Sequence, residues 1–166
     1  RRASEFTKNP VWVASSAVAT MTFEDSLPRG LAGPVPSGPS FHTEVKGAVS
    51  NAFERAGIGP KDVSFTELQD NTCYYELAFP EEWGLCQPGE SERLVAAGET
   101  LPTGRMPINP SGGFVSFGEA TTAQGVLQVC EVTWQLRGQS GGRQVPGAKL
   151  GLAQSLAKGP PLAFAE

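Results

Sequence analysis

Ile108-Asn109-Pro110-Ser111-Gly112-Gly113-Phe114-Val115-Ser116-Phe117-Gly118-Glu119-Ala120 is the stretch on which the reading of the fold turns. Two glycines stand together behind an Asn-Pro-Ser turn, and an apolar run leads from them to a third. Paired glycines let main-chain N–H groups approach a ligand oxygen, and they suit a tight turn before a helix equally well. Downstream of Gly118, the residues Val126, Val129, Cys130, Thr133 and Trp134 keep helical spacing, with Gly138 as the stop signal, which predicts a long helix with this stripe in the core. Upstream, Gln87 to Ser111 is rich in Gly and Pro and reads as irregular, apart from a helical piece around Arg93-Leu94-Val95-Ala96.

Further out, Val63-Ser64-Phe65-Thr66-Glu67-Leu68 alternates as a strand and breaks into the polar Gln69-Asp70-Asn71-Thr72, where Asn71 or Thr72 caps a short helix through Glu76 and Leu77. A polar loop at the carboxyl end of a strand is where open α/β sheets place ligands. Val45, Ala48, Val49, Ala52, Phe53 and Ala56 form one helical stripe ended by Gly57. Val11 to Val18 reads as a buried strand, and the Pro/Gly-rich residues 27–40 as a surface loop. Ala148–Ala153 and Pro161–Ala165 read as two closing strands joined by a turn near Lys158-Gly159-Pro160. This order predicts an α/β fold, a mixed sheet covered by helices, in a single domain over residues 1–166 with residues 1–9 flexible.

Composition narrows the function. The chain has 166 residues, 39% apolar and 18% charged, as expected of one globular domain. A net charge of −4 with scattered Lys and Arg gives no footprint for nucleic acid, and no apolar run is long enough for a membrane span. Three cysteines, Cys73, Cys86 and Cys130, show no disulfide or metal-ligand spacing, which points to a reducing compartment and no metal. Cys130 is expected in the core, whereas Cys73 follows a polar loop where a functional group could sit. Arg1-Arg2-Ala3-Ser4 matches a basophilic kinase site too briefly to carry weight, and the absence of an initiator Met fits a trimmed chain or a piece of a longer one. The expected compartment is the cytoplasm, or the peroxisome in a eukaryote, although no C-terminal peroxisomal signal is present.

Several segments in the right order resemble the C-terminal half of the sterol carrier protein X and lipid-transfer branch of the thiolase superfamily. They are Ala56-Gly57-Ile58-Gly59-Pro60-Lys61-Asp62-Val63, Glu67-Leu68-Gln69-Asp70, Trp83-Gly84-Leu85-Cys86, Ile108-Asn109-Pro110-Ser111-Gly112-Gly113, Trp134-Gln135-Leu136-Arg137-Gly138 and Arg143-Gln144-Val145-Pro146-Gly147-Ala148-Lys149. The resemblance implies one half of a two-half, usually dimeric, fold whose nucleophilic cysteine lies in the N-terminal half. It also implies an acyl-CoA or lipid substrate, with a coenzyme A thioester as substrate and no permanently bound cofactor. A thiolase N-terminal half or a small acyl-CoA-binding protein is the implied partner, in a homo- or hetero-oligomer.

Set against the branch's motifs, the acid/base groups are changed. Gln69 stands where the His-Asp-Cys-Phe motif has histidine, and Asp70 matches. Gln can polarise a carbonyl or orient water, but it cannot shuttle a proton near neutral pH. Both residues serve equally well to satisfy backbone groups at a strand end. In the Gly-His-Pro motif Gly118 is kept, while Glu119 and Ala120 replace histidine and proline. Glu119 becomes a general base if an apolar wall raises its pKa, or it simply favours a helix start. Asn109, Ser111, Gly112, Gly113 and Gly118 are the expected substrate-binding set, offering main-chain donors to a thioester oxygen or head group. The last segment, Leu150 to Pro160, has no second cysteine, and the single histidine, His42, reads as a surface or cap residue. Related steroid side-chain aldolases use tyrosines at the two histidine motifs; here Tyr74 and Tyr75 lie downstream and read as packing groups. The expected functions are thus a thiolase-like protein with altered or lost acyltransferase chemistry, a non-catalytic lipid or acyl-CoA binding or structural subunit, or a retro-aldolase acting on a β-hydroxyacyl-CoA.

Overall fold

The computed structural model describes residues 2–20, 43–120, 123–157 and 162–165. His42, the 27–40 loop and the turn near Lys158-Gly159-Pro160 lie outside them. Four strands, β1 (Ala17–Thr20), β2 (Phe65–Glu67), β3 (Gly151–Ala157) and β4 (Leu162–Ala165), form one sheet in the order β1-β4-β3-β2. The β1–β4 and β4–β3 pairs are antiparallel and the β3–β2 pair is parallel, so the sheet is mixed, as the element order predicts.

Helices cover the sheet. The stripe on α1 (Thr43–Ala56) goes inward as predicted, burying Val45, Ala48, Val49, Ala52 and Phe53 against Leu68, Ile108 and Leu152. After its last turn, Ile58 N–H donates back to the Phe53 carbonyl and Gly57 N–H to that of Glu54, a Schellman closure. The short helix after the polar loop is α2 (Tyr74–Glu82), where Tyr75, Phe79 and Trp83 at i, i+4 and i+8 stack ring on ring and extend the core, with centroids 4.7 and 5.2 Å apart. Cys73 is exposed ahead of α2. Next come α3 (Ser91–Ala96), α4 (Gly113–Phe117) and α5 (Gln124–Leu136).

The helix α5 has the predicted period but the opposite face inward. Val126 and Trp134 are 64% and 44% exposed, and Cys130 is only half-buried. The buried positions are Gln124, Gln128, Glu131 and Gln135. Their partners explain the reversal. Gln128 donates to the Gln154 carbonyl of β3, while Gln135 donates to the Arg143 carbonyl and accepts from Val145 N–H. Glu131 takes a two-pronged ion pair from Arg143, at 3.0 and 2.8 Å. An apolar face would leave these main-chain groups and Arg143 without partners, at a cost that buried amides in hydrogen bonds avoid.

The first strand is shorter than predicted. It begins at Ala17, which pairs with Ala165, the last described residue of β4. Among the described residues Val11 to Ser16 join no strand ladder, and Trp12 and Val13 are 73% and 75% exposed. The third strand starts three residues late, since Lys149 and Leu150 N–H groups are held by the Ser64 hydroxyl before the ladder begins. Gly151 opens β3 at a crowded point: a Cβ there would lie 2.6 Å from the Phe65 ring and 2.9 Å from Val132.

That crowding predicts opposite outcomes at two glycines. Gly151→Ala should cost about 1–3 kcal/mol through overpacking. Gly47→Ala, in the middle of α1 with nothing within 4 Å, should stabilise by up to about 1 kcal/mol. Denaturant midpoints of the two variants check both signs.

Candidate functional site

The parallel strand β2 and the Asn109–Gly113 loop meet edge to edge. Thr66 N–H donates to the Pro107 carbonyl and Asn109 N–H to that of Thr66, at 3.0 and 2.8 Å. The loop then folds back over the end of β2, and each polar side chain there holds a main-chain group across the gap. Asn109, with a left-handed φ of 45°, accepts from Leu68 N–H and donates to Glu76 at 2.7 Å. Ser111 donates to Glu67 twice, through its N–H at 3.0 Å and its hydroxyl at 2.7 Å. Asp70 accepts from Phe114 N–H at 2.7 Å, at the first turn of α4.

Gly113 has to be glycine here. Its φ is 63°, and a Cβ would sit 2.1 Å from the Asp70 carboxylate. The main-chain N–H groups of both glycines are engaged inside the turn, Gly112 to the Asn109 carbonyl at 2.8 Å and Gly113 to the Ser111 hydroxyl at 3.1 Å. Of the two roles open to the glycine pair, the structure displays the turn. Gln69 is similarly occupied: its N–H donates to the Gln154 side chain, and its side-chain oxygen accepts from Leu156 N–H on β3. Gln69 and Asp70 thus serve the backbone at the strand end.

Glu119 lies beyond this braced region. Gly118 ends α4, with its N–H on the Phe114 carbonyl, and Gly118 and Glu119 are both exposed. Glu119 comes before α5 rather than in its first turn, and Ala120 N–H ties the connection to Gln124 at 3.0 Å. On either side, Val115 and Phe117 of α4 and Val126 and Leu127 of α5 are exposed, at 78%, 46%, 64% and 40%.

Glu67 is the site residue that the sequence did not single out. Burial pushes its carboxyl up to about 7, against the two Ser111 hydrogen bonds that hold it down. Glu76 is also raised, by burial first, with the Asn109 amide opposing and the Asp70 charge adding to the rise. The sequence signal for such a group is its phase: Glu67 follows Val63 and Phe65 at a spacing of two, on the apolar half of the alternation.

Comparison with known proteins places the chain. A family model described as "Thiolase C-terminal domain-like" matches residues 39–159. The chain belongs to this thiolase C-terminal domain-like family. Rat sterol carrier protein 2 is 44% identical over 69% of the chain, and the match spans 21% of that protein. Acetyl-CoA acetyltransferase of Methanothermobacter thermautotrophicus is 34% identical over 93% of the chain, spanning 38% of that protein. Among solved structures, the "Ltp2-ChsH2(DUF35) aldolase" shares the fold, with a TM-score of 0.72 at 23% identity over 95% of the chain and 39% of the matched one. The chain therefore spans well under half the length of these relatives.

The raised carboxyl of Glu67 has a definite pH signature. Its protonated form is favoured in the folded state, so its contribution to stability is greatest below about 4.5 and declines as pH rises to about 7. The loss across that window is roughly 3 kcal/mol. Glu82, half-buried and also raised to about 7, adds a fall of the same sign. Glu67→Gln should flatten the profile by the Glu67 share while leaving the Glu82 share in place, as read from urea midpoints between pH 4.5 and 7.5.

Proposed function

We propose that this chain is the C-terminal half of a thiolase-like protein of acyl-CoA and lipid metabolism, with altered or lost acyltransferase chemistry, whose site is completed by a partner. The observation that carries this reading is a rigid loop ending in an exposed tip. Glu67, Asp70 and Asn109 fix Asn109–Gly113 through charge-assisted or buried hydrogen bonds, while Gly118 and Glu119 stand at the surface between two exposed apolar strips. A partner seated on Val115, Phe117, Val126 and Leu127 would bury that tip and desolvate Glu119, the condition under which a carboxylate becomes a competent base. The partner would be a thiolase N-terminal half, on the same polypeptide or a separate one, or a small acyl-CoA-binding protein. It would bring the cysteine nucleophile, and the substrate would be a coenzyme A thioester. Asn109, Ser111, Gly112 and Gly113 act in this reading chiefly by setting where the tip stands.

A purely binding or structural subunit follows if Glu119 does no chemistry. The retro-aldolase alternative draws on the fold likeness to the Ltp2 aldolase alone. Tyr75 does not favour it, since its ring is stacked in parallel on Phe79, with 4° between the planes.

Acetoacetyl-CoA and CoA are the probe. The chain alone should leave thioester absorbance unchanged, and adding a separately produced thiolase N-terminal half should start its loss. Glu119→Gln should then slow turnover about 100-fold or more. No turnover with the added half, or turnover indifferent to Glu119→Gln, rejects the catalytic form of the proposal. Sedimentation should show a dimer or hetero-complex, and a stable monomer at high concentration with no affinity for the added half rejects the incomplete-site reading itself.

A further inference from the structure

Two hydrogen bonds meet at the Ser111 hydroxyl, and only one of them has a fixed direction. Gly113 N–H can only donate to it, at 3.1 Å. The contact with Glu67 Oε2, at 2.7 Å, has the length of an O–H···O bond whichever oxygen carries the proton. With Glu67 ionised, Ser111 donates and its proton is spent inside the loop. With Glu67 neutral, the bond has to reverse. Oε1 already accepts from Ser111 N–H at 3.0 Å, so the carboxyl proton sits on Oε2 and points at Ser111. The serine oxygen then accepts from Gly113 and from Glu67, which fills both its lone pairs. Its own proton has to leave the cluster.

Glu67 is placed to visit both states near neutral pH. Burial is the main force that lifts its carboxyl to about 7; the two Ser111 bonds oppose it, and the charges of Glu131 on α5 and of Asp70 beyond β2 add to the rise. Arg143, the cation on this side, engages Glu131 through two nitrogens instead, at 3.0 and 2.8 Å. The frame around the pair does not depend on the proton. Phe114 N–H is held by Asp70 and Leu68 N–H by Asn109, so a reversed Glu67–Ser111 bond leaves the loop where it stands. The direction left to the hydroxyl is outward. Ser111 is half-buried, Gly112 beside it is exposed, and among the described residues the hydroxyl has no third partner.

We propose that Glu67 and Ser111 form a proton-gated donor, in which a proton taken up by Glu67 turns the Ser111 hydroxyl outward to bind the carbonyl oxygen of a neutral ligand. Neutral is the class that fits, since Asp70 and Glu76 are tied into the same set of loop bonds and their charges disfavour an anion. A ligand that takes this hydroxyl binds more tightly when Glu67 is neutral, and its binding draws a proton in. Glu67 is here a positioning residue, acting through Ser111. The gate belongs to this chain and holds whether or not Glu119 does chemistry; that the carbonyl is a thioester's rests on the function proposed above.

NMR of the chain alone tests the gate. The Glu67 carboxyl carbon and the Ser111 and Gly113 amide signals should titrate together with a midpoint of about 7, while Phe114 N–H stays protected from exchange on both sides of it. Glu67→Gln should remove this titration, because its amide oxygen accepts from Ser111 N–H and its NH2 donates to the hydroxyl as the neutral acid does. S-acetylpantetheine, a neutral thioester, should bind about fivefold more tightly at pH 6 than at pH 8. In Glu67→Gln its affinity should stay at the pH 6 level throughout, and in Ser111→Ala at the pH 8 level or below with no pH dependence. Three results overturn the proposal: a Glu67 carboxyl that stays ionised down to pH 5, loss of Phe114 protection as Glu67 gains its proton, or pH-dependent binding that persists in either variant. No binding of the thioester at either pH, with the titration and the Phe114 protection intact, rejects the coenzyme A thioester reading, while the titration itself upholds the gate.

Discussion

The hydrogen bonds between the end of β2 and the Asn109–Gly113 loop decide where everything near the site stands. Glu67 takes both the N–H and the hydroxyl of Ser111, and three residues on Asp70 takes the N–H of Phe114. One strand end thereby fixes a turn and the start of a helix. A carboxylate removed from water is costly unless its oxygens are satisfied, so the loop and the acids require one another. Remove the acids and the turn loses its anchors; remove the turn and two buried carboxyl groups lose their donors. The position of Gly118 and Glu119 is inherited from this arrangement through α4, which is five residues long.

Much of this architecture was legible in the amino-acid sequence. The α1 stripe, its Gly57 stop, the β2 strand and the mixed sheet follow from periodicity and turn chemistry, and the family motifs fall on the elements expected of them. What escaped had physical causes. Periodicity locates a helix and its stripe, but the inward face of α5 was chosen by loop carbonyls and by Arg143, which lie elsewhere in the sequence. At Val11 to Ser16 the apolar run predicts a strand, but pairing across the sheet is not a local property, and among the described residues the ladder on this side starts at Ala17. Glu67 went unnoticed because it stands next to the polar Gln69-Asp70 loop and reads as its beginning, although it is in phase with the apolar Val63 and Phe65. Its burial comes from the loop lying across it.

The site is divided between rigid and exposed parts, and this division separates two questions that thiolase-like sequences raise together. The main-chain donors of Gly112 and Gly113 are engaged within the turn, which ties the glycine pair to loop geometry. Changes at the two histidine positions then have unequal meaning. Gln69 took up a bonding role toward β3, so the residue there is tied to sheet geometry. Glu119 is exposed and, among the described residues, bonds to no strand.

The polar seam beneath α5 has a consequence for how this helix tolerates change. Packing between apolar side chains is forgiving of small slides, whereas Gln128, Glu131 and Gln135 meet named partners in fixed directions. Sliding the helix by one turn would break all three sets together. The axial setting of α5 is therefore all-or-none, and its substitution pattern should be inverted relative to an ordinary amphipathic helix. Apolar outer positions can exchange among themselves, while a glutamine-to-leucine swap of nearly equal volume on the inner side strands a main-chain group that no apolar atom can serve.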